Sequence, residues 1–61
     1  MEVKEVKEKI DEFVAKNEDV IINHIMICQP FTYRIENNYV DFYREHTLIA
    51  MIEIIAITDI Y

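Results

Sequence analysis

The stretch 31–44 constrains the fold most, because its polarity pattern fits a single β-hairpin. It reads Phe-Thr-Tyr-Arg-Ile-Glu-Asn-Asn-Tyr-Val-Asp-Phe-Tyr-Arg, with Asn37-Asn38 at its centre. Asn tolerates the left-handed backbone that a two-residue primed turn requires. With this pair as the loop, alternating residues lead into it and away from it. We therefore predict antiparallel strands over about 31–36 and 39–44.

The register of this hairpin follows by counting outward from the loop. Tyr33 then faces Phe42, and Arg34 faces Asp41, so apolar residues meet on one face and opposite charges meet on the other. A slip of one residue would lose both agreements. The polar face also carries exposed aromatic residues, and Tyr together with Arg is typical of interface hot spots. We predict that the interface with a protein partner is formed by Arg34, Tyr39, Asp41 and Tyr43.

The length of the chain limits the core that it can build. A chain of 61 residues buries only about 60% of its unfolded surface, and domains this small usually need a staple. Cys28 is the only cysteine, so no internal disulfide can form. With 52% hydrophobic residues, we expect apolar surface to remain exposed and to be covered in a homodimer. The predicted dimer interface consists of Ile21, Ile25, Ile27, Ile55 and Ile57.

The N-terminal segment 2–16 is predicted to be an amphipathic helix. Val3, Val6, Ile10 and Phe13 recur at steps of three and four. We expect the apolar stripe to cover one face of the sheet. The alternative functions of such a helix are partner binding and membrane-surface binding, and its mixed, acid-leaning polar face argues against an anionic lipid surface.

The segment 20–28 is predicted to be one strand covered on both sides, because both of its faces are mostly apolar. Gln29-Pro30 then interrupts it. Pro30 fits the second position of a turn that folds this strand back on the next one, and it equally fits a bend in one long strand. The sequence leaves both readings open.

The C-terminal segment is predicted to form strands over 47–51 and 54–60, with a corner near Ile52-Glu53. A helix over 48–61 is the alternative, which its β-branched residues disfavour. The chain has no glycine, so corners must be built by other residues.

These elements together predict the fold class. We expect one α+β domain over 1–61, in which an N-terminal amphipathic helix packs on a small antiparallel β-meander of four to five strands.

The formal net charge of −6 makes nucleic-acid binding unlikely, because phosphate-backbone affinity needs clustered Lys and Arg. It suits a protein partner with a basic surface. We expect no signal peptide and no membrane span, since the start is polar and the most apolar run is short and interrupted by acids. One unpaired cysteine fits a reducing compartment, so we expect a cytoplasmic protein.

Few residues have metal-binding or catalytic character. His24 and Cys28 share a face of the predicted strand, but a zinc site needs more ligands than two, and only a dimer mate could supply them. Three acidic residues and a histidine could act as general acids and bases, but so short a chain has too few residues to line a pocket of the usual size. We predict no catalytic, cofactor or metal site, and no enzyme activity. The acid–base set is Asp41, Glu45, His46 and Asp59.

The composition itself suggests a function. A small, acidic, glycine-free and isoleucine-rich chain is typical of products of phages and mobile elements from AT-rich hosts, many of which block a host enzyme. We therefore expect a dimeric inhibitor that binds a basic surface of a host defence protein. The alternative is a structural or regulatory dimerisation module without inhibitory role. The third candidate is a single-stranded nucleic-acid binder that stacks bases on the hairpin aromatics.

Overall fold

A computed structural model describes all residues, 1–61, and places one helix before five antiparallel strands. The strands form two sheets, one of order β1-β2 and one of order β3-β4-β5. This confirms the predicted α+β class, with two sheets in place of a single meander. The elements are α1 (Val3–Ala15), β1 (Val20–Ile22), β2 (Ile25–Ile27), β3 (Thr32–Glu36), β4 (Tyr39–Arg44), β5 (Thr47–Glu53) and a 3-10 turn (Ile54–Ala56).

Helix α1 forms where the apolar periodicity predicts it. Val6 and Ile10 are fully buried. The helix ends because Asn17 adopts a left-handed φ of 55°. The Asn17 amide then donates to the Val14 carbonyl at 3.1 Å, and the next amide donates to the Phe13 carbonyl at 2.9 Å. This pair of bonds is the Schellman arrangement that satisfies the last carbonyls of a helix.

The core lies where α1 and the two sheets meet, and it is small. Eleven residues are buried, and all of them are apolar. Phe42 is fully buried and meets Phe31 edge to face, with ring centroids 5.3 Å apart. The buried residues are Val6, Ile10, Val20, Ile22, Ile27, Phe31, Val40, Phe42, Ile54, Ile57 and Ile60.

The predicted hairpin is confirmed in its strands, its loop and its register. Tyr33 pairs with Phe42, and Arg34 pairs with Asp41. Both loop residues have left-handed φ values, 52° at Asn37 and 67° at Asn38.

Two further hairpin turns have the same left-handed backbone, without any glycine. Asn23-His24 joins β1 to β2 with φ values of 48° and 73°, and Glu45-His46 joins β4 to β5 with 49° and 72°. Two successive positive φ values are the signature of the type I′ turn, whose twist matches that of the paired strands.

The prediction of one strand over 20–28 is wrong, because Asn23-His24 folds it into a short hairpin. Val20 pairs with Ile27, and Ile22 pairs with Ile25. Both faces of this segment are apolar, so the sequence has no alternating pattern whose interruption would mark the turn.

Gln29–Pro30 is a cis peptide on the path from β2 to β3. These two strands lie in different sheets, so Pro30 neither folds one onto the other nor bends a single strand.

The C-terminal prediction is also corrected. Strand β5 runs to Glu53, and the corner falls at Ile54–Ala56, later than predicted. No strand covers 54–60. The end of the chain instead lies beside β1, where Ile60 bridges Ile22 and the Tyr61 amide donates to the Ile21 carbonyl at 2.9 Å.

The Asn23 side chain fastens this C-terminal segment to the first hairpin. Its Nδ2 donates to the Ala56 carbonyl at 2.7 Å. Its Oδ1 accepts from the Thr58 amide at 2.9 Å, the Thr58 hydroxyl at 3.0 Å and the Asp59 amide at 3.1 Å. One side chain thus satisfies four backbone and side-chain groups of a segment that has no regular structure of its own.

We predict that Asn23→Gly lowers the free energy of unfolding by about 1–3 kcal/mol, because it removes these bonds while it keeps the left-handed backbone accessible. Urea unfolding measures the change. The control is Asn37→Gly, at a turn where the Asn side chain makes no such bonds, and we expect no loss there. Equal losses in the two variants would contradict the fastening role of Asn23.

Candidate interaction surface

One face of the three-stranded sheet is turned away from the core, and we call it the outer face. Side chains alternate along a strand, so cross-strand partners share a face. Arg34, Asp41 and Met51 form the central row of the outer face. The full set is Thr32, Arg34, Glu36, Tyr39, Asp41, Tyr43, Leu48, Met51 and Glu53.

The outer face combines aromatic and apolar side chains with charges. Met51 is 56% exposed, Leu48 47% and Tyr39 36%, and Tyr43 is half-buried beside them. Aromatic residues and Met are enriched in protein interfaces, whereas charged residues are more typical of the rim. The four residues predicted for the partner interface all belong to this face.

The predicted ion pair between Arg34 and Asp41 is absent, although their backbones pair as predicted. The Arg34 guanidinium donates instead to the Glu36 carboxylate, on its own strand, at 3.2 Å. The Oδ1 atom of Asp41 is buried and has no hydrogen-bond partner. A buried carboxylate oxygen without a hydrogen-bond donor lowers the stability of the folded protein. The centre of the outer face therefore contains an acceptor that no group of the chain satisfies.

The other side of β3 is fixed to the helix. The Tyr33 hydroxyl donates to Asp11, which also accepts from the Lys7 ammonium at 2.7 Å. The hydrogen bonds from Lys7 and Tyr33 lower the pKa of Asp11. Burial of the Tyr33 hydroxyl raises the pKa of Tyr33, and the hydrogen bond to the Asp11 carboxylate raises it further. Both shifts favour an ionised Asp11 and a neutral Tyr33, so the contact stabilises the fold from about pH 4 to about pH 10. The helix thus shields the inner face and leaves the outer face free.

An open depression of about 330 Å³ lies beside the outer face, at the turn between β4 and β5. Its volume is at the lower end of the range for small-molecule sites. Its lining residues are Thr32, Tyr33, Arg34, Tyr43 and His46. Thr32 carries no sequence signal for a site, and His46 contributes because the hairpin turn between β4 and β5 brings it next to β3.

Charge is distributed unevenly along the chain. All four lysines lie in residues 1–16, whereas residues 17–61 carry seven carboxylates and two arginines. Arg34 is paired with Glu36, and Arg44 donates to the backbone carbonyls of Cys28 and Pro30, at 2.6 Å and 3.1 Å. The sheets therefore present a predominantly acidic surface, which attracts basic partners.

The isoleucines predicted for the dimer interface separate into two groups. Ile27 and Ile57 are 4% and 2% exposed and belong to the core, which corrects their assignment to a surface. Ile25 is 51% exposed, Ile55 is 80% exposed, and Ile21 is half-buried. The first group packs inside because the hairpin and the 3-10 turn direct these residues toward the helix and sheets.

The residues considered for metal binding or catalysis do not come together. His24 lies in the turn after β1 and Cys28 lies beyond β2, so the shared strand face predicted for them does not exist. No three His, Cys, Asp or Glu side chains form a group that could hold a metal ion. Glu45 and His46 form a hairpin turn, and the Asp59 amide is bonded to Asn23.

Comparisons with protein-family models, with curated proteins and with solved structures give no match to this chain. The only α-helix, α1, has 13 residues, and no helix has the length and apolar character needed to cross a membrane.

We predict that Asp41→Val raises the free energy of unfolding by about 1 kcal/mol, because it removes the unpartnered oxygen and places a β-branched residue in a central strand. Thermal unfolding would show this as a rise of about 4–8 °C in Tm.

The matched control is Glu53→Val, which removes the same charge from an exposed position of the outer face. We expect a change within about 0.5 kcal/mol there. A loss of stability in Asp41→Val would mean that the Asp41 carboxylate is satisfied in the free protein.

Proposed function

We propose that this chain is a non-catalytic, homodimeric protein-binding module that uses its outer face to bind a protein with a basic surface. We further propose that binding inhibits that protein. Arg34, Tyr39, Asp41 and Tyr43 are the residues of the partner interface.

The observation that carries the proposal is the unpartnered Oδ1 of Asp41 at the centre of the outer face. A Lys or Arg side chain of a partner supplies the missing donor when the side chains that cover Oδ1 move aside on binding, as interface rotamers commonly do. Hydrogen bonds between charged groups are the strong ones, and they strengthen further where neighbouring side chains exclude water. Tyr39 and Tyr43 lie on either side of Asp41 along β4 and would provide that exclusion.

The acidic balance of the sheets supports a basic partner. Complementary charge raises the rate of encounter and disfavours acidic competitors. This contribution is screened over about 8–10 Å at ordinary salt, so it acts mainly before contact, whereas the Asp41 bond acts after it.

The proposed inhibitory role rests on the small size and the composition of the chain. The fold measures 25 × 21 × 19 Å and presents a predominantly acidic surface. It is suited to occupying a basic channel or groove and excluding the natural ligand of that surface. The acidic, glycine-free and isoleucine-rich composition is also typical of products of phages and mobile elements, many of which block a host enzyme, and we propose a host defence protein as the target.

We predict that Asp41→Asn weakens binding to the captured partner by about 10- to 100-fold, because an amide cannot replace the charged acceptor. The measurement is affinity capture from a host lysate, followed by titration of the recovered protein with each variant. The Tyr39→Ala/Tyr43→Ala double variant should lose binding and remain folded.

The control is Glu8→Gln, which removes the same charge from the exposed side of α1 and should leave binding unchanged. Equal effects of Asp41→Asn and Glu8→Gln would show that only net charge matters, contrary to the proposal. Inhibition is scored separately, as a loss of the partner's activity that is complete at a stoichiometric ratio. A partner that is bound but stays active would favour the dimerisation module instead.

A further inference from the structure

Strand β5 has one free edge. It is the last strand of the β3-β4-β5 sheet and pairs with β4 on one side only. No backbone hydrogen bond outside the sheet reaches 47–53, and no side chain bonds to the backbone of this segment. Such an edge is a ready template for another strand.

The hydrogen-bond pattern shows which groups of β5 point outward. The Ile54 amide donates to the Asn38 carbonyl at 2.8 Å, in register with the pairing of Val40 with Ile52. Directly opposed residues alternate between bonded and non-bonded pairs, so Ile52 and Ala50 are bonded to β4. Met51 and Glu53 therefore direct their amides and carbonyls away from β4, toward the free edge.

The β5 edge has few of the features that usually protect an edge strand. Leu48, Ile49 and Met51 are 47%, 38% and 56% exposed, and Glu53 at the end is the only charge. Native edges are commonly protected by charges, proline, bulges or a covering element. A bulge opposite Phe42 and Tyr43 is present, but it leaves Ala50–Glu53 regular.

The opposite edge of the sheet, β3, is protected. It carries the charged pair Arg34 and Glu36, and helix α1 is joined to it through Tyr33 and Asp11. The contrast between the two edges singles out β5 as the one that is suited to pairing.

We propose that β5 pairs antiparallel with β5 of a second copy, centred on Met51, so that two chains form one six-stranded sheet. This rests on the proposed homodimer and names its interface. A two-fold axis at Met51 places each Met51 opposite its counterpart and each Glu53 opposite Ile49. Ile49 is the extra residue of the bulge, so the regular part of this pairing is Ala50–Ile52.

The charges of β5 suit this pairing with itself. The two Glu53 side chains lie at opposite ends of the paired segment, four residues from each other in register. That separation is about 13 Å, which exceeds the screening length of about 8 Å at physiological salt. The apolar side chains at the edge come together between them, and the two outer faces become one surface with an Asp41 on each half.

The test uses charges at the symmetric position. Met51→Lys and Met51→Glu each place like charges directly opposite one another, so each should raise the dimer dissociation constant. Asp41 lies opposite residue 51 on β4 and partly offsets an introduced lysine, so we expect the larger effect, about tenfold or more, for Met51→Glu. An equimolar mixture should restore the dimer as a heterodimer. Sedimentation equilibrium on the purified chain measures the mass, which is 7.4 kDa for one copy.

A second variant identifies the register. Met51→Cys in a Cys28→Ser background should give a disulfide-linked dimer on mild oxidation, since directly opposed residues have Cα atoms about 5.5 Å apart. The matched control is Thr32→Cys on β3, which should stay monomeric on denaturing gels.

Several results would overturn the proposal. They are a wild-type chain that sediments as a monomer at tens of micromolar, Met51 variants that dimerise normally, and a dimer lost in Ile25→Lys or Ile55→Lys but kept in Met51→Lys. Recruitment of a different peptide to the edge, without self-association, would also contradict it. A monomeric wild-type chain would remove the proposed homodimer together with its interface, whereas a dimer formed at another site would remove only the interface at β5. The Asp41 test contains the partner, and it decides the partner-binding proposal separately.

Discussion

The structure depends on a core that is too small for the apolar residues of the chain. Eleven residues are buried, while 52% of the sequence is hydrophobic. Apolar side chains that find no place inside remain at the surface, mainly on the outer face, along β5 and near the C-terminal segment. A surface of this kind gains free energy when it is covered, at about 25 cal/mol for each Å² removed from water. The proposed interfaces are where that gain is available.

The absence of glycine shapes the rest. Three hairpin turns must adopt left-handed backbone, and Asn, His and Glu occupy these positions. The left-handed conformation costs free energy for residues other than Gly, and Asn tolerates it best. Pairing of the strands on either side of each turn offsets this cost. The short strands β1 and β2 are stabilised in addition by the C-terminal segment through Asn23. The longer hairpins need no such support.

The parts of the fold that were predictable from sequence are those where two independent patterns agree. The 31–44 hairpin was placed in register because apolar pairing and the Asn37-Asn38 turn demand the same alignment. The 20–28 hairpin was missed because both strands are apolar on both faces, although Asn23 is the same turn residue as in the confirmed case. The 3-10 turn was missed because Ile54–Ala56 is β-branched at two positions, and tertiary packing of Ile54 overrides that preference. The outer-face residues of β4 could be named from alternation alone. The hydrogen bond from Arg34 to Glu36 could not be predicted. Both Glu36 and Asp41 lie near Arg34, and which carboxylate the guanidinium contacts depends on three-dimensional geometry.

The central claim is that the sheet of this chain is completed by a second copy at β5. Amide hydrogen exchange at residue resolution, compared between dilute and concentrated protein, tests it most directly. Ala50 and Ile52 donate to β4 and should be protected at both concentrations, so they are internal references. Met51 and Glu53 should exchange rapidly in dilute solution and become protected on concentration. Rapid exchange of these two amides at every concentration would contradict the claim.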